Sequence, residues 1–237
     1  MTENEGNTPA LALRDLSVSV PDGQQTRILL DHVNLEVAAG ELLAITGSSG
    51  SGKSTLLALA GLLRRPDSGE VTICGERTSD LGERQRTDLR RRQVSIVYQS
   101  ANLVPSLTAV EQLELVGHIN REKRKTARTR AESLLEELGI GDRWNQLPGR
   151  MSGGERQRVG IARALMSEPS VLLADEPVAS LDPELSVQIA ELLASETRSR
   201  NLATVIVTHD EVPLNYAHRH LYLEAGKLTD VGLADVR

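Results

Sequence analysis

Short apolar runs that end in a polar residue recur along this chain and predict the strands of an α/β protein. The run at 42–46 leads directly into a loop rich in glycine and serine, after which apolar residues recur at helical spacing from Ser54 to Leu63. Continuous apolar runs of this kind are typical of parallel strands buried on both faces, and ligands gather at their carboxyl ends. Further runs of the same kind lie at 94–97, 171–174, 205–208 and 221–223.

The rest of the chain follows two other patterns. Residues 11–20 and 27–37 read as two strand-like runs on either side of a turn at Pro21-Asp22-Gly23. Residues 100–165 are charged and mostly helical in their periodicity. We therefore predict a disordered tail at 1–10 and a single domain at 11–237. Its α/β core comprises about 11–99 and 166–237, with a helical subdomain at about 100–165 inserted into it.

Composition narrows the class of protein. The 237 residues are 39% hydrophobic but only 2% aromatic, so the core must pack with aliphatic side chains. A net charge of −6 argues against nucleic acid as a partner, because such proteins normally present a basic surface. Cys74 is the only cysteine, which excludes an internal disulfide and fits a reducing compartment. Since no apolar run reaches the roughly 20 residues of a membrane span and the N-terminus does not resemble a signal peptide, we expect a soluble, cytosolic protein.

A phosphate-binding loop follows the buried run at 42–46. The segment Gly47-Ser48-Ser49-Gly50-Ser51-Gly52-Lys53-Ser54 matches the pattern GxxxxGK[ST] in full. In such a loop the glycines turn backbone N–H groups toward phosphate oxygens, Lys53 reaches the β- and γ-phosphates, and the Ser54 hydroxyl ligates Mg²⁺. The positive end of the following helix adds to the attraction. A flexible linker would not explain the strand before the loop and the helix after it, so we predict nucleotide binding.

Two carboxylates end a later buried run. Residues 171–174 are apolar and lead into Asp175 and Glu176. In a nucleotide site the first carboxylate holds Mg²⁺ through water, and the second acts as a general base toward the attacking water. Alone, this arrangement could equally be a solvated turn before Pro177. The phosphate-binding loop favours the functional interpretation.

Further segments resemble the motifs of ATP-binding cassette (ABC) proteins. Met151-Ser152-Gly153-Gly154-Glu155-Arg156-Gln157-Arg158 looks like the signature motif, although its serine and glutamate could also form a capping box at any helix start. Gln99 matches the Q-loop, His209 the switch histidine and Ser180-Leu181-Asp182 the D-loop. Each has an ordinary structural interpretation alone: a surface glutamine, a structural histidine and a helix cap before proline. Together with the phosphate-binding loop they stand in the family's order over about residues 11–230.

The resemblance implies a P-loop NTPase (RecA-like) α/β core with an antiparallel β subdomain and an inserted helical subdomain. It implies ATP and Mg²⁺ as cofactors, with Glu176 and His209 as catalytic residues and with Gln99 acting both in catalysis and at the metal. Ser54 and Asp175 complete the implied metal site. The implied nucleotide-binding residues are Gly47, Ser48, Ser49, Gly50, Ser51, Gly52, Lys53, Ser54, Thr55, Val20, Ser152, Gly153, Gly154, Glu155 and Asp182. Those at 152–155 close on the nucleotide of a second copy, which implies a head-to-tail dimer.

The motifs are most similar to the branch that contains lipoprotein-release, macrolide-export and haem-export ATPases and the cell-division pair's ATPase. This implies a motor subunit on the cytoplasmic face of a membrane, expected to be the bacterial inner membrane, that drives separately encoded integral membrane permease subunits for export. A soluble ABC ATPase that drives an assembly process, such as cluster biogenesis or a cell-division role, remains the alternative. A DNA-repair or translation-factor cassette is disfavoured by the single cassette, the single cysteine and the negative charge.

One departure from the family pattern concerns the base of the nucleotide. Most ABC ATPases stack an aromatic ring on adenine, and the alignment of residues 13–16 with that region puts Val20 at the position. The first aromatic residue of the chain is Tyr98. Base–aromatic stacking is worth roughly 1–3 kcal/mol per base. We hypothesise that Val20 forms an apolar floor under the base and that base selectivity is weak.

Overall fold

The computed structural model of the chain describes residues 8–23 and 25–232, so most of the predicted tail at 1–10 lies outside the described residues. The strands are β1 (Leu11–Asp22), β2 (Gln25–Val37), β3 (Leu42–Thr46), β4 (Ser68–Ile73), β5 (Glu76–Arg77), β6 (Val94–Val97), β7 (Val171–Asp175), β8 (Ala203–Val207), β9 (Arg219–Glu224) and β10 (Lys227–Asp230). The α-helices are α1 (Lys53–Ala60), α2 (Glu83–Gln93), α3 (Ala109–Ile119), α4 (Arg124–Glu137), α5 (Gly153–Leu165) and α6 (Pro183–Ser199). Short 3₁₀ helices lie at Gly141–Arg143, Pro148–Arg150 and Val212–Tyr216.

A six-stranded sheet in the order β10-β9-β3-β8-β7-β6 forms the centre of the fold. The five strands from β9 to β6 are parallel, and β10 pairs with β9 in the antiparallel sense. Strands β3, β7 and β8 are buried along almost their whole length, which is why their sequences are continuously apolar. Because parallel strands share a direction, the residues that follow β3, β6, β7 and β8 meet at one edge of the sheet.

A four-stranded antiparallel sheet in the order β2-β1-β4-β5 packs beside this core. Strands β1 and β2 form the predicted pair around Gly23, with Val20 directly opposite Arg27. The hydrophobic pattern did not predict β4, β5 or α2. The reason is physical: β4 begins with exposed polar residues, and α2 buries only Arg86 and Leu89, so neither shows a clear apolar face.

Helices α3, α4 and α5 occupy the chain between β6 and β7. They pack on one another through an apolar cluster that continues into the central sheet. Two side chains of α5 tie it to the segment after β6: Gln157 Nε2 donates to the Tyr98 carbonyl at 3.2 Å, and Arg163 donates to the Ala101 carbonyl at 2.7 Å. The helix with the signature motif is thus linked to the loop that carries Gln99.

The core is aliphatic, as the composition predicted. The largest fully buried side chains are leucines and isoleucines, whereas Tyr98 and Trp144 are exposed at 39% and 40%. Among the described residues, no helix has the length and apolar character needed to cross a membrane. The sequence prediction of an α/β fold built around a phosphate-binding loop is confirmed.

Candidate nucleotide-binding and hydrolysis site

A pocket of about 440 Å³ opens at the carboxyl edge of the central sheet. It brings together the phosphate-binding loop after β3 and the two carboxylates at the end of β7, with two side chains of β2 on a further wall. Its lining residues are Arg27, Leu29, Ser49, Gly50, Gly52, Lys53, Ser54, Thr55, Asp175 and Glu176. Six of the nine residues of the predicted loop at 47–55 therefore share one cavity with both carboxylates.

The glycines of the phosphate-binding loop are required by its backbone path. Gly47 and Gly52 have φ of 154° and 105°. A Cβ on Gly47 would lie 2.3 Å from the Leu223 carbonyl oxygen, and one on Gly52 would lie 2.9 Å from the Leu29 carbonyl oxygen. Only glycine avoids both the strained conformation and the clash. The neighbouring strands β9 and β2 thus fix where the loop lies.

Lys53 lies folded over the loop it follows. Its Nζ donates to the carbonyl oxygens of Gly47 at 2.6 Å and Ser48 at 2.9 Å. An ammonium group has three donors, so one remains for a further acceptor. The ammonium is thereby held at the mouth of the loop, where phosphate oxygens would arrive.

Asp175 and Ser54 form the candidate metal-binding pair. Burial is the main cause that raises the pKa of Asp175, and the nearby Glu176 raises it further, while a hydrogen bond from Ser54 and the charge of Lys53 oppose the shift. Among the described residues no cluster of three or more His, Cys, Asp or Glu could hold a metal alone. Mg²⁺ usually takes one or two carboxylates together with substrate phosphates, so one hydroxyl and one carboxylate beside a phosphate-binding loop fit it.

Glu176 is held in a strained and strongly bonded position. Its φ of 50° is unusual for a residue with a Cβ, and its backbone N–H donates to the Val207 carbonyl at 2.8 Å, so β8 holds the conformation. One carboxylate oxygen lies 2.8 Å from His209 Nδ1, and the other accepts from the Thr208 hydroxyl at 3.1 Å. The glutamate is 17% exposed and the histidine 70% exposed. The structure therefore pairs the predicted base with the predicted switch histidine.

Gln99, Asp182 and Val20 are among the predicted site residues that do not line the pocket. Gln99 Nε2 approaches the Ser180 hydroxyl at 3.5 Å, so the Q-loop contacts the segment after β7. Asp182 accepts the Leu185 N–H at 3.0 Å and caps α6, which is the structural interpretation weighed from the sequence. Val20 lies on β1 beside the pocket, opposite Arg27. Their roles toward a nucleotide stay predictions.

The signature segment starts α5 as a capping box. The Ser152 hydroxyl accepts the Glu155 N–H at 3.1 Å, and the Glu155 carboxylate accepts the Ser152 N–H at 2.7 Å. Arg143 donates to the same carboxylate at 2.8 Å, and this hydrogen bond is the main cause that lowers the pKa of Glu155. Residues 152–155 do not contribute to the pocket lining, and Ser152 is exposed.

Sequence reasoning missed four residues that shape these two segments. Arg27 and Leu29 line the pocket, Thr208 donates to Glu176, and Arg143 anchors Glu155. The two strands around Gly23 were predicted, but only the register seen in the structure places Arg27 opposite Val20. Thr208 immediately precedes His209 and could have been included with it. Nothing in the local sequence pointed to Arg143.

The fold and site define a P-loop nucleotide-binding protein of the α/β class. Comparison with known proteins specifies the family: the ABC transporter family profile matches residues 30–179. A lipoprotein-releasing system ATP-binding protein LolD from Bordetella pertussis is 42% identical over 228 residues, which cover 96% of this chain and 99% of that protein. A hemin import ATP-binding protein HrtA from Staphylococcus haemolyticus is 38% identical, with 92% and 99% covered.

Solved structures agree with this result. A dimeric ATP-binding cassette in a post-hydrolysis state with ADP and Pi matches with a TM-score of 0.85 and 35% identity, covering 94% of this chain and 98% of that one. CbiO1 from Clostridium perfringens, part of an ABC transporter complex, matches with a TM-score of 0.85 and 26% identity, covering 96% and 90%. The chain belongs to the ABC transporter family, and it is an ATP-binding, ATP-hydrolysing subunit. The resemblance seen in the sequence, including its branch, is confirmed.

Proposed function

We propose that two copies of this chain close head to tail on two Mg²⁺-ATP molecules and drive a separately encoded permease from the cytoplasmic face of the membrane, for release or export. The observation that carries the chemistry is the shared pocket: Lys53, Ser54, Asp175 and Glu176 line one cavity at the sheet edge. Phosphate binding, metal binding and general-base catalysis can therefore act on the same γ-phosphate.

Glu176 is the proposed general base, which accepts the proton of the attacking water. Two of its contacts, from Thr208 and His209, fix both carboxylate oxygens, yet an ionised carboxylate offers about four acceptor sites. A water can therefore still be bound and oriented. His209 is the proposed contact to the γ-phosphate, and its 70% exposure leaves its other ring nitrogen accessible. Lys53 holds the β- and γ-phosphates through its remaining donor.

Ser54 and Asp175 are the proposed metal-holding residues, with Gln99 as a third. A Mg²⁺ ion held by these residues would offset the negative charge of the phosphates. Asp175 is ready for this role because its burial disfavours an isolated negative charge, which a nearby cation would offset. Gln99 contacts Ser180 through Nε2 in this structure, and we propose that it exchanges this contact for the metal. We propose this exchange as the link between the nucleotide and α5, through Gln157 and Tyr98.

The dimer and the permease are supported by different observations. Residues 152–155 carry the signature pattern but lie outside the pocket lining of their own chain, which fits a contact with a partner's nucleotide. A dimeric cassette and a subunit of an ABC transporter complex both match this chain, which supports a dimer and a membrane partner. Relatives are named for lipoprotein release and for hemin import, which differ in cargo and direction. The extent of the match to lipoprotein-releasing proteins supports release, and the cargo itself is set by the permease.

The first test concerns the base. Glu176→Gln preserves shape and removes the proton acceptor, so we expect ATP hydrolysis to fall by about 10²–10⁴-fold while ATP binding persists. The measurement is phosphate release at saturating Mg²⁺-ATP, with nucleotide binding followed separately. Hydrolysis within threefold of wild type would remove Glu176 from the proposed role.

The second test concerns the partner. Purification of the tagged chain from detergent-solubilised membranes should recover an integral membrane protein whose presence stimulates hydrolysis. Recovery from the soluble fraction with scaffold proteins instead would favour the assembly alternative. Gel filtration of Glu176→Gln with and without Mg²⁺-ATP tests the dimer, which should form only with nucleotide.

A further inference from the structure

We propose that Arg27 supplies the surface on which the nucleotide base stacks, in place of the aromatic ring that this chain lacks. This inference rests on the proposed nucleotide site and assigns its base-recognition residue. The guanidinium group of arginine is planar and delocalised, and nucleic-acid bases stack on it as they do on aromatic rings. The resemblance to the family had assigned only Val20 to the position next to the base.

The register of the β1–β2 pair puts Arg27 beside the expected stacking position. Arg27 and Val20 are direct cross-strand partners, so their side chains share one face of the sheet with their Cβ atoms about 5 Å apart. An aromatic ring at residue 20 would occupy the space next to the arginine. With valine there, the aliphatic stem of Arg27 has a short apolar neighbour on which to rest.

The pocket itself confirms that Arg27 points toward the nucleotide side. Arg27 lines the same cavity as Lys53 and Ser54, and Leu29 lies on the same face of β2 two residues further along. The cavity wall on this side is therefore one arginine and one leucine. No aromatic side chain contributes to the lining formed by the described residues.

A hydrogen bond orients the guanidinium relative to the phosphate-binding loop. Arg27 Nη2 donates to the Gly50 carbonyl oxygen at 3.1 Å. Guanidinium hydrogen bonds lie in the plane of the group, so this contact holds the edge of the guanidinium at the loop and leaves its faces for stacking. The accepting carbonyl of Gly50 belongs to the loop whose N–H groups are proposed to hold the phosphates. The hydrogen bond from Arg27 to Gly50 therefore links the proposed stacking surface for the base to the phosphate-binding loop.

Stacking on Arg27 would affect the selectivity of the site for the base. Stacking on a flat cationic surface uses the π-face that every base has, so it does not distinguish adenine from guanine by hydrogen bonding. We expect ADP and GDP to bind with affinities within about threefold of each other. A large preference for ADP that Arg27→Ala leaves unchanged would contradict the proposal.

The decisive experiment compares ADP with pyrophosphate, which has the phosphates but neither base nor sugar. Isothermal titration calorimetry of the full chain gives the ratio of the ADP affinity to the pyrophosphate affinity. In Arg27→Ala this ratio should fall by about tenfold, the loss expected when one base loses its stacking partner. Arg77→Ala removes an exposed arginine from β5 of the same sheet and should leave the ratio unchanged.

Two further variants separate stacking from charge. Arg27→Lys keeps the charge without the planar group, so the ratio should stay low, whereas adding Val20→Tyr to Arg27→Ala should restore it. Full recovery in Arg27→Lys, or equal losses for ADP and pyrophosphate in Arg27→Ala, would show a simple phosphate contact and overturn the proposal. An unchanged ratio in Arg27→Ala would also overturn it. A wild-type chain that bound neither ligand would instead contradict the proposed nucleotide site.

Discussion

The chain has two glycine-rich segments, and they use glycine for different physical reasons. In the phosphate-binding loop Gly47, Gly50 and Gly52 all have positive φ, from 74° to 154°. In the signature segment Gly153 and Gly154 are ordinary helical residues at the start of α5. A Cβ on Gly154 would meet Leu185 Cδ2 at 2.9 Å, whereas one on Gly153 would only approach Leu181 Cδ2 at 3.5 Å.

The difference shows which segment is complete within one chain. The backbone of the phosphate-binding loop is confined by carbonyls of β2 and β9, so its own fold requires those glycines. Gly154 is similarly explained by its packing on α6. Gly153 has room for a methyl group, so nothing in its own chain requires glycine there. We propose that glycine at this position instead serves the close approach of a partner's nucleotide.

The largest effect that would sharpen this comparison is expected at Gly47. Gly47→Ala forces a Cβ to within 2.3 Å of the Leu223 carbonyl, and a backbone atom cannot move aside. We expect the free energy of unfolding to fall by about 3 kcal/mol or more and ADP binding to be lost. Urea denaturation and calorimetric titration provide the measurements.

Gly50→Ala is the matched control for that prediction. Gly50 also has positive φ, 74°, but nothing lies within 4 Å of its Cβ position. Its cost should therefore be limited to conformational strain, about 1–2 kcal/mol. Equal losses in the two variants would show that strain, and not the clash with β9, confines the loop.

The next largest effects are expected for alanine substitutions at Gly153 and Gly154, which should act on different properties. Gly153→Ala has space in its own chain, so we expect unchanged stability and ADP binding but a fall in ATP hydrolysis of about tenfold or more, since the added methyl obstructs the partner's nucleotide. Gly154→Ala should instead cost about 1 kcal/mol of stability, because the end of the Leu185 side chain must give way.

A double variant tests the second half of this prediction. Leu185→Ala removes the atoms that Gly154→Ala would meet, so the two changes together should cost less than the sum of their separate costs. Normal hydrolysis by Gly153→Ala would break the comparison, because it would remove the argument that this glycine serves the dimer.

The contrast also explains how far the sequence could predict the molecule. Strands β3, β7 and β8 were predictable because burial on both faces makes them continuously apolar, and the loop of residues 47–54 has its own pattern. Site residues that depend on strand register, such as Arg27, were not, because register is set by tertiary pairing. The link from Glu155 to Arg143 likewise depends on how α5 packs against the segment before it.

The smallest expected effect is on the pH dependence of stability, which should differ between the phosphate-binding loop and the signature segment. His220 is 5% exposed and bonds Thr46, next to the phosphate-binding loop, at 2.7 Å, and burial is the main cause that lowers its pKa below 6.5. The unfolded chain therefore binds more protons just below pH 6.5, so the stabilisation by neutral His220 is complete above that pH and lost as pH falls. The lowered pKa of Glu155 stabilises the signature segment above pH 4.5, and this contribution is lost only at lower pH.

Two variants should therefore act in separate pH windows. Relative to wild type, His220→Gln should flatten the decline of Tm between pH 7.5 and pH 5.5, by at most about 2–4 °C. Arg143→Gln should lower Tm above pH 4.5, where ionised Glu155 loses its partner, and should change the slope of the curve only below pH 4.5. The difference from wild type matters, because exposed His32, whose pKa is raised mainly by its hydrogen bond to Asp15, contributes with the opposite sign. His118→Asn, which removes an exposed histidine of α3, is the control substitution. If His220→Gln kept the wild-type slope of Tm against pH, His220 would not be the group that titrates in this range. The phosphate-binding loop would then have no acid sensitivity of its own, and the two segments would not differ in their pH dependence in the way described.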